Sequence, residues 1–124
     1  YHCITIDGDT STNDTLLLMA NGASGVKLSK EDEPLFRKAL FGLLQDIAKL
    51  IARDGEGASH FITIRMRGTR NDADARKMAR AIANSPLVKT AIAGCDPNWG
   101  RILSAAGYSG VEFDPTKVSI RLQK

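Results

Sequence analysis

The sequence predicts an α+β fold in which helices lie in a layer against a sheet, a layered sandwich. Three observations carry this expectation. The apolar residues Phe36, Leu40, Leu43, Ile47 and Leu50 recur at three- and four-residue steps, the period of a long amphipathic helix. Residues 1–6, 61–67 and 118–122 alternate apolar and polar positions with period two, as strands do. The two kinds of segment intermingle without the regular unit of a doubly wound sheet and without an internal repeat.

Taken in order, residues 1–6 read as a strand that opens without a cap or polar leader. Asp7, Gly8 and Asp9 supply a turn, and residues 10–13 a polar run. A second apolar stretch at 16–20 is closed by Asn21 and Gly22. Ser29, three residues before Asp32, resembles a capping box, and Pro34 falls where a first helical turn tolerates a missing donor. Gly55 is the expected stop of the long helix. Residues 61–67, rich in β-formers, then read as a strand ended by Gly68.

A second helix is expected from Asn71 or Asp72, with Ala75, Met78, Ala79 and Ile82 on its apolar face. Ser85 and Pro86 should stop it, because a residue before proline avoids the helical region. Residues 87–93 read as a short strand, Asp96, Pro97 and Asn98 as a turn, and 99–106 as a short helix closed by Gly107. Pro115 marks a turn before the last alternating run. Both ends fall inside strand patterns, so residues 1–124 are expected to form a single partial domain with an incomplete sheet and exposed apolar surface.

Composition narrows the function classes. The 124 residues are 43% hydrophobic and 25% charged, the balance of a globular protein, and 17 Lys and Arg against 14 Asp and Glu leave a charge of +3. That excess is too small to argue for nucleic acid. The acidic trio Glu31, Asp32 and Glu33 suits a helix start. Cys3 and Cys95 lack metal-ligand spacing and read as free thiols in a reducing compartment. With no stretch of membrane-spanning length and no signal-peptide pattern, no membrane partner is expected and the cytoplasm is the default location.

Spacing alone identifies no reaction. Gly55, Glu56, Gly57 and Ala58 hold one carboxylate at a glycine-flanked loop tip, either as a functional group or as a solvated glutamate beyond a helix cap. The order helix, glycines, strand is the reverse of a phosphate-binding loop. Ser11, Thr12, Asn13 and Asp14 could bind a cation or polar substrate, but they do not complete a calcium loop, and turns that brace the loop are the alternative. Asn98, Trp99, Gly100 and Arg101 could gather an anion, or Trp99 could be buried against the sheet with Arg101 paired to a carboxylate. His2 and His60 have no acid or Cys at triad or metal spacing, and no Ser or Thr sits in a nucleophile motif.

Three stretches say more: Ile6-Asp7-Gly8-Asp9 through Ser11-Thr12-Asn13-Asp14; Asp54-Gly55-Glu56-Gly57-Ala58; and Ser85-Pro86-Leu87-Val88-Lys89-Thr90-Ala91 running on to Asp96-Pro97-Asn98-Trp99-Gly100-Arg101. In this order they resemble the β chain of the bifunctional ornithine acetyltransferase and glutamate N-acetyltransferase of arginine biosynthesis, over essentially the whole chain. The resemblance implies a self-cleaving precursor with an αββα-type sandwich. Cleavage leaves a threonine nucleophile at the new N-terminus, upstream of the Asp-Gly-Asp segment and hence outside this chain, so no catalytic residue is assigned here. It implies acetyl transfer from N-acetylornithine to glutamate through acetyl-threonine, acetyl-coenzyme A as a further possible donor, and no cofactor. It also implies assembly of α and β chains as an α2β2 heterotetramer.

Only Glu56 matches a substrate-binding position, its oxygens suiting an amino-acid ammonium. Where the family continues Ala-Thr-Lys, this chain has Ala58-Ser59-His60, and Cys95 replaces a frequent acidic residue. No role beyond structure is assigned to Asn13, Asp14, Asn98 or Arg101. The rival readings are a related self-cleaving aminopeptidase and a non-catalytic amino-acid-binding module. The piece alone is expected to transfer no acetyl group.

Overall fold

In a computed structural model that describes residues 1–123, helix formation follows the capping signals closely. Helix α1, Glu33–Arg53, is entered through Ser29, whose hydroxyl accepts from the Asp32 amide at 3.0 Å and donates to the Asp32 carboxylate at 2.7 Å. Pro34 stands in its first turn. Helix α2, Asp72–Asn84, is capped by Asn71, which accepts from the Asp74 amide at 2.8 Å. Helix α4, Trp99–Gly107, is capped in the same way by Asn98, and a 3-10 turn, Pro115–Lys117, by Asp114. Hydrogen bonds from the Thr116 hydroxyl and amide hold the Asp114 carboxyl below its ordinary pKa of 3.8.

Residues 87–93, expected to be a strand, belong to helix α3, Pro86–Ala93. The physical reason is that Ser85 and Pro86 act in two directions. The Ser85 amide donates to the Ile82 carbonyl and ends α2, while its buried hydroxyl accepts from the Val88 amide and starts α3 with proline in the first turn. The β-branched Val88, Thr90 and Ile92 are outweighed by this cap and by burial of Val88 and Ala91.

Helix α3 closes with a Schellman motif: the Cys95 amide donates to Ile92 and the Asp96 amide to Ala91. Cys95 takes the left-handed conformation, φ +54°, that glycine normally occupies there. Cys95→Gly is therefore expected to stabilise the fold by about 0.5–1 kcal/mol, the relief of the left-handed penalty less glycine's entropy. Slower amide exchange at the α3 end would show it; unchanged or faster exchange would contradict it.

No strand forms among the described residues. The alternating segments 1–6, 61–67 and 118–122 and the apolar stretch 16–20 have no hydrogen-bonded ladder, because a strand exists only when a second strand takes up its N–H and C=O groups, and these segments do not pair with one another. The sheet of the expected sandwich is thus not formed among the described residues.

The core lies where α2, α3 and α4 pack together. Met78, Ile82, Val88, Ala105 and Ala106 are buried in one cluster, and Ile64, Met66, Ile92, Ile102, Val111 and Phe113 pack around it. Ala105, fully buried, lets α4 approach α2 closely. Helix α1 stands apart from this unit. Its least exposed strip is Leu40, Leu44, Ala48 and Ala52 at four-residue steps, whereas Phe36, Leu43, Ile47 and Leu50 of the expected apolar face are exposed. The Glu33–Arg37 and Asp46–Lys49 ion pairs on α1 lie in solvent and add little. Leu16, Leu17, Leu18 and Met19 also stand in solvent, so the expectation of exposed apolar surface holds.

Candidate functional site

Glu56 sits one turn beyond α1. The Asp54 amide donates to the Leu50 carbonyl and caps the helix, so Asp54 takes the role expected of Gly55. The next residues fold into a turn closed by the Ala58 amide on the Gly55 carbonyl at 2.9 Å, with Gly57 at φ +68° supplying the left-handed step. The neck is held by the Arg53 guanidinium, 4.8 Å from the centre of the Phe61 ring. Glu56 projects from the tip, exposed, and among the described residues its carboxylate makes no ion pair or side-chain hydrogen bond. Next to the turn, the Ser59 hydroxyl and His60 Nδ1 lie 2.8 Å apart.

The Asp7-Gly8-Asp9 stretch forms an Asx turn in which Asp7 Oδ1 accepts from the Asp9 amide at 2.8 Å and Gly8 adopts φ +90°. Beyond it, Ser11 Oγ accepts from the amides of Asn13 and Asp14, and the Thr15 hydroxyl donates to the Asn13 carbonyl. Asn13 and Asp14 thus take part in turns that brace the loop. Among the described residues no three His, Cys, Asp or Glu side chains converge as metal ligands.

The Asn98-to-Arg101 run departs from the expected packing. Asn98 Oδ1 caps the Arg101 amide at 3.1 Å while its Nδ2 donates to Asp96 at 2.9 Å. Among the described residues Arg101 is not paired with a carboxylate: its guanidinium donates to the Leu87 carbonyl at 3.1 Å and to the Thr90 hydroxyl at 3.3 Å, tying α4 to α3. Trp99 is not buried; it is 64% exposed and lines an open groove of about 380 Å³ with Leu103, Pro115, Val118, Ile120 and Leu122.

The three motif stretches meet at Ile6. Its carbonyl accepts from the Lys89 ammonium of the third stretch, and its Cγ2 stands 3.4 Å from where a Cβ at Gly55 of the second would lie. Around this point the Arg80 guanidinium donates to the His2 carbonyl, and the Thr5 hydroxyl donates to Asn84 Oδ1 at 2.6 Å. Arg80 and Asn84 stand in none of the motif stretches, and Lys89, within the third, has no role that sequence assigns. Their partners lie about eighty positions away, and no local pattern signals a side chain that reaches a distant carbonyl.

The profile of the ArgJ family matches residues 1–124. The chain belongs to the ArgJ family. It is 55% identical over 120 residues to the arginine biosynthesis bifunctional protein ArgJ of Ruegeria pomeroyi, covering 97% of this chain and 29% of that protein. It is 48% identical over 122 residues to the glutamate N-acetyltransferase of Methanocaldococcus jannaschii, covering 98% of this chain and 30% of that protein. The crystal structure of the arginine biosynthesis bifunctional protein ArgJ from Bacillus halodurans superposes with a TM-score of 0.85 at 50% identity, over 91% of this chain and 55% of that one. The chain thus spans about 30% of the length of the curated ArgJ relatives it matches. A Schizosaccharomyces japonicus relative, 49% identical over 123 residues, is named as mitochondrial. No helix among the described residues is long and apolar enough to cross a membrane.

Proposed function

We propose that this chain is part of an acetyltransferase that moves an acetyl group from N-acetylornithine to glutamate in arginine biosynthesis. The observation that carries the reading is identity near one half, spread over 97–98% of the chain, with proteins named for bifunctional arginine biosynthesis and glutamate N-acetylation. A self-cleaving aminopeptidase or a bare amino-acid-binding module has no such support.

In the whole protein a threonine nucleophile outside these residues attacks the acetyl carbonyl. Its hydroxyl proton passes to a base, the threonine's own terminal amine, and ornithine leaves with its amine protonated. The amine of glutamate then attacks the acetyl-threonine ester and releases N-acetylglutamate and the free hydroxyl. Hydrogen-bond donors from the α chain stabilise the oxyanion in both steps. Glu56 contributes binding: its carboxylate, held out on a short turn and without a side-chain partner among the described residues, accepts from an ammonium of the bound amino acid, which in N-acetylornithine is the free side-chain ammonium.

Residues 1–6, 61–67 and 118–122 act in this reading as strands of an αββα sandwich, their ladders completed by the rest of the polypeptide. The assembly is an α2β2 heterotetramer, cytoplasmic in a bacterium and mitochondrial in a yeast-like host.

The test uses the full-length protein given N-acetylornithine without glutamate. Mass spectrometry is expected to find one added acetyl group on the N-terminal threonine of the β chain, discharged when glutamate is supplied. Acetyl-coenzyme A in place of N-acetylornithine reads the second donor. Transfer without an acetylated threonine, or no transfer at all, would overturn the reading.

A further inference from the structure

The first eight residues are held from both sides. On one side lie three donors and acceptors from the α2–α3 corner. Arg80 and Asn84 are four residues apart, on one face of α2, and reach the His2 carbonyl and the Thr5 hydroxyl. The Asn84 amide also lies against Gly8, 3.2 Å from where a Cβ would stand. Lys89, just past the Ser85 junction, reaches the Ile6 carbonyl. On the other side the Ile6 methyl faces Gly55, 3.4 Å from where a Cβ there would stand. Among the described residues the turn that carries Glu56 has one backbone hydrogen bond across it and the Arg53–Phe61 stack at its neck, so its place depends on what it leans on.

We infer that Arg80, Asn84 and Lys89 are positioning residues: they hold residues 2–8 as a strap whose Ile6 side chain sets the place of the 55–58 turn and of the Glu56 carboxylate. Two links transmit the position. Each anchor fixes backbone or hydroxyl atoms of the strap, which fixes the direction of the Ile6 side chain. The contact with Gly55 passes that direction to the turn. A Cβ at position 55 would meet the Ile6 methyl at van der Waals distance, so strap and turn lie within one methyl group of each other.

The strap is a property of the fold, and its kinetic consequence rests on the substrate role proposed for Glu56. The test uses full-length enzyme carrying Lys89→Met, which keeps the aliphatic stem and removes the donor, and Ile6→Ala, which keeps the backbone bonds and removes the contact. Amide exchange at residues 55–58 is expected to rise several-fold in both, with protection in α4 unchanged, and Lys89→Arg is expected to restore it. KM for the amino-acid substrate is expected to rise about fivefold in both with kcat nearly unchanged, the loss of a binding contact. In a Glu56→Gln background, Lys89→Met should raise KM no further.

Exchange at 55–58 that matches wild type in both variants would overturn the strap, and so would KM effects that add in full in the Glu56→Gln background. Raised exchange with Glu56→Gln itself kinetically silent would keep the strap and remove the substrate role of Glu56.

Discussion

Ile82→Ala is expected to lower the opening free energy of the α2–α3–α4 unit by about 2–3 kcal/mol, in the lower part of the range for removing buried Ile side chains. Ile82 is 6% exposed and packs with Met78, Val88, Ala105 and Ala106, so truncation removes contacts to all three helices at once. The lower part of the range applies because the core is small: no large side chain is fully buried, and the half-buried Ile64, Met66 and Ile102 can shift to fill space. Native-state amide exchange in α2 and α4 measures the effect. Leu87→Ala is the matched control, since Leu87 is 59% exposed on α3 and its loss should change little. Equal effects from the two substitutions would mean that the cluster is not the core of the unit.

The same cluster shows what was legible in the sequence. Ala75, Met78, Ala79 and Ile82 were readable as one helical face because a helix carries its own hydrogen bonds, so period and cap suffice to predict it. Asn71, Ser29 and Asn98 mark three helix starts for that reason. Strands are different. Residues 61–67 alternate correctly, yet a ladder needs a neighbour that no local pattern supplies, and none forms among the described residues. Residues 87–93 depart from the expected strand for another reason: Pro86 disfavours continuation of α2, but proline after a capping serine is also a helix start.

At the site, local chemistry was legible and long-range contact was not. The glycine-flanked turn that presents Glu56 could be read from Gly55 and Gly57, although the cap fell to Asp54 and the left-handed step to Gly57. Trp99 and Arg101 went the other way. An indole near a helix start is usually covered, but here it lies open beside Pro115 and Val118, and Arg101 finds two oxygens on α3 before it finds a carboxylate. The convergence on Ile6 was invisible, because Lys89 and Gly55 are its neighbours in space and not in sequence.

Glu56→Gln in the full-length enzyme is expected to lower kcat/KM for acetyl transfer at least tenfold while self-cleavage of the precursor continues. The substitution keeps the shape of the side chain and removes its charge. The turn should survive it, since the closing bond runs between backbone atoms of Gly55 and Ala58 and the neck is held by Arg53 and Phe61. What is lost, on the binding role proposed for Glu56, is a charge-assisted hydrogen bond to a substrate ammonium, worth about 1.5–3 kcal/mol where the site is partly desolvated. That loss converts to roughly ten- to more than a hundredfold in kcat/KM, and it should fall mainly on KM if the contact is the same in ground and transition states. In the proposed mechanism cleavage depends on the threonine and its own surroundings, so the two readouts separate binding from maturation. Transfer kinetics equal to wild type would leave Glu56 as a solvated residue at a helix end. Blocked cleavage would make its role structural, because an uncleaved precursor has no free threonine amine to act as base.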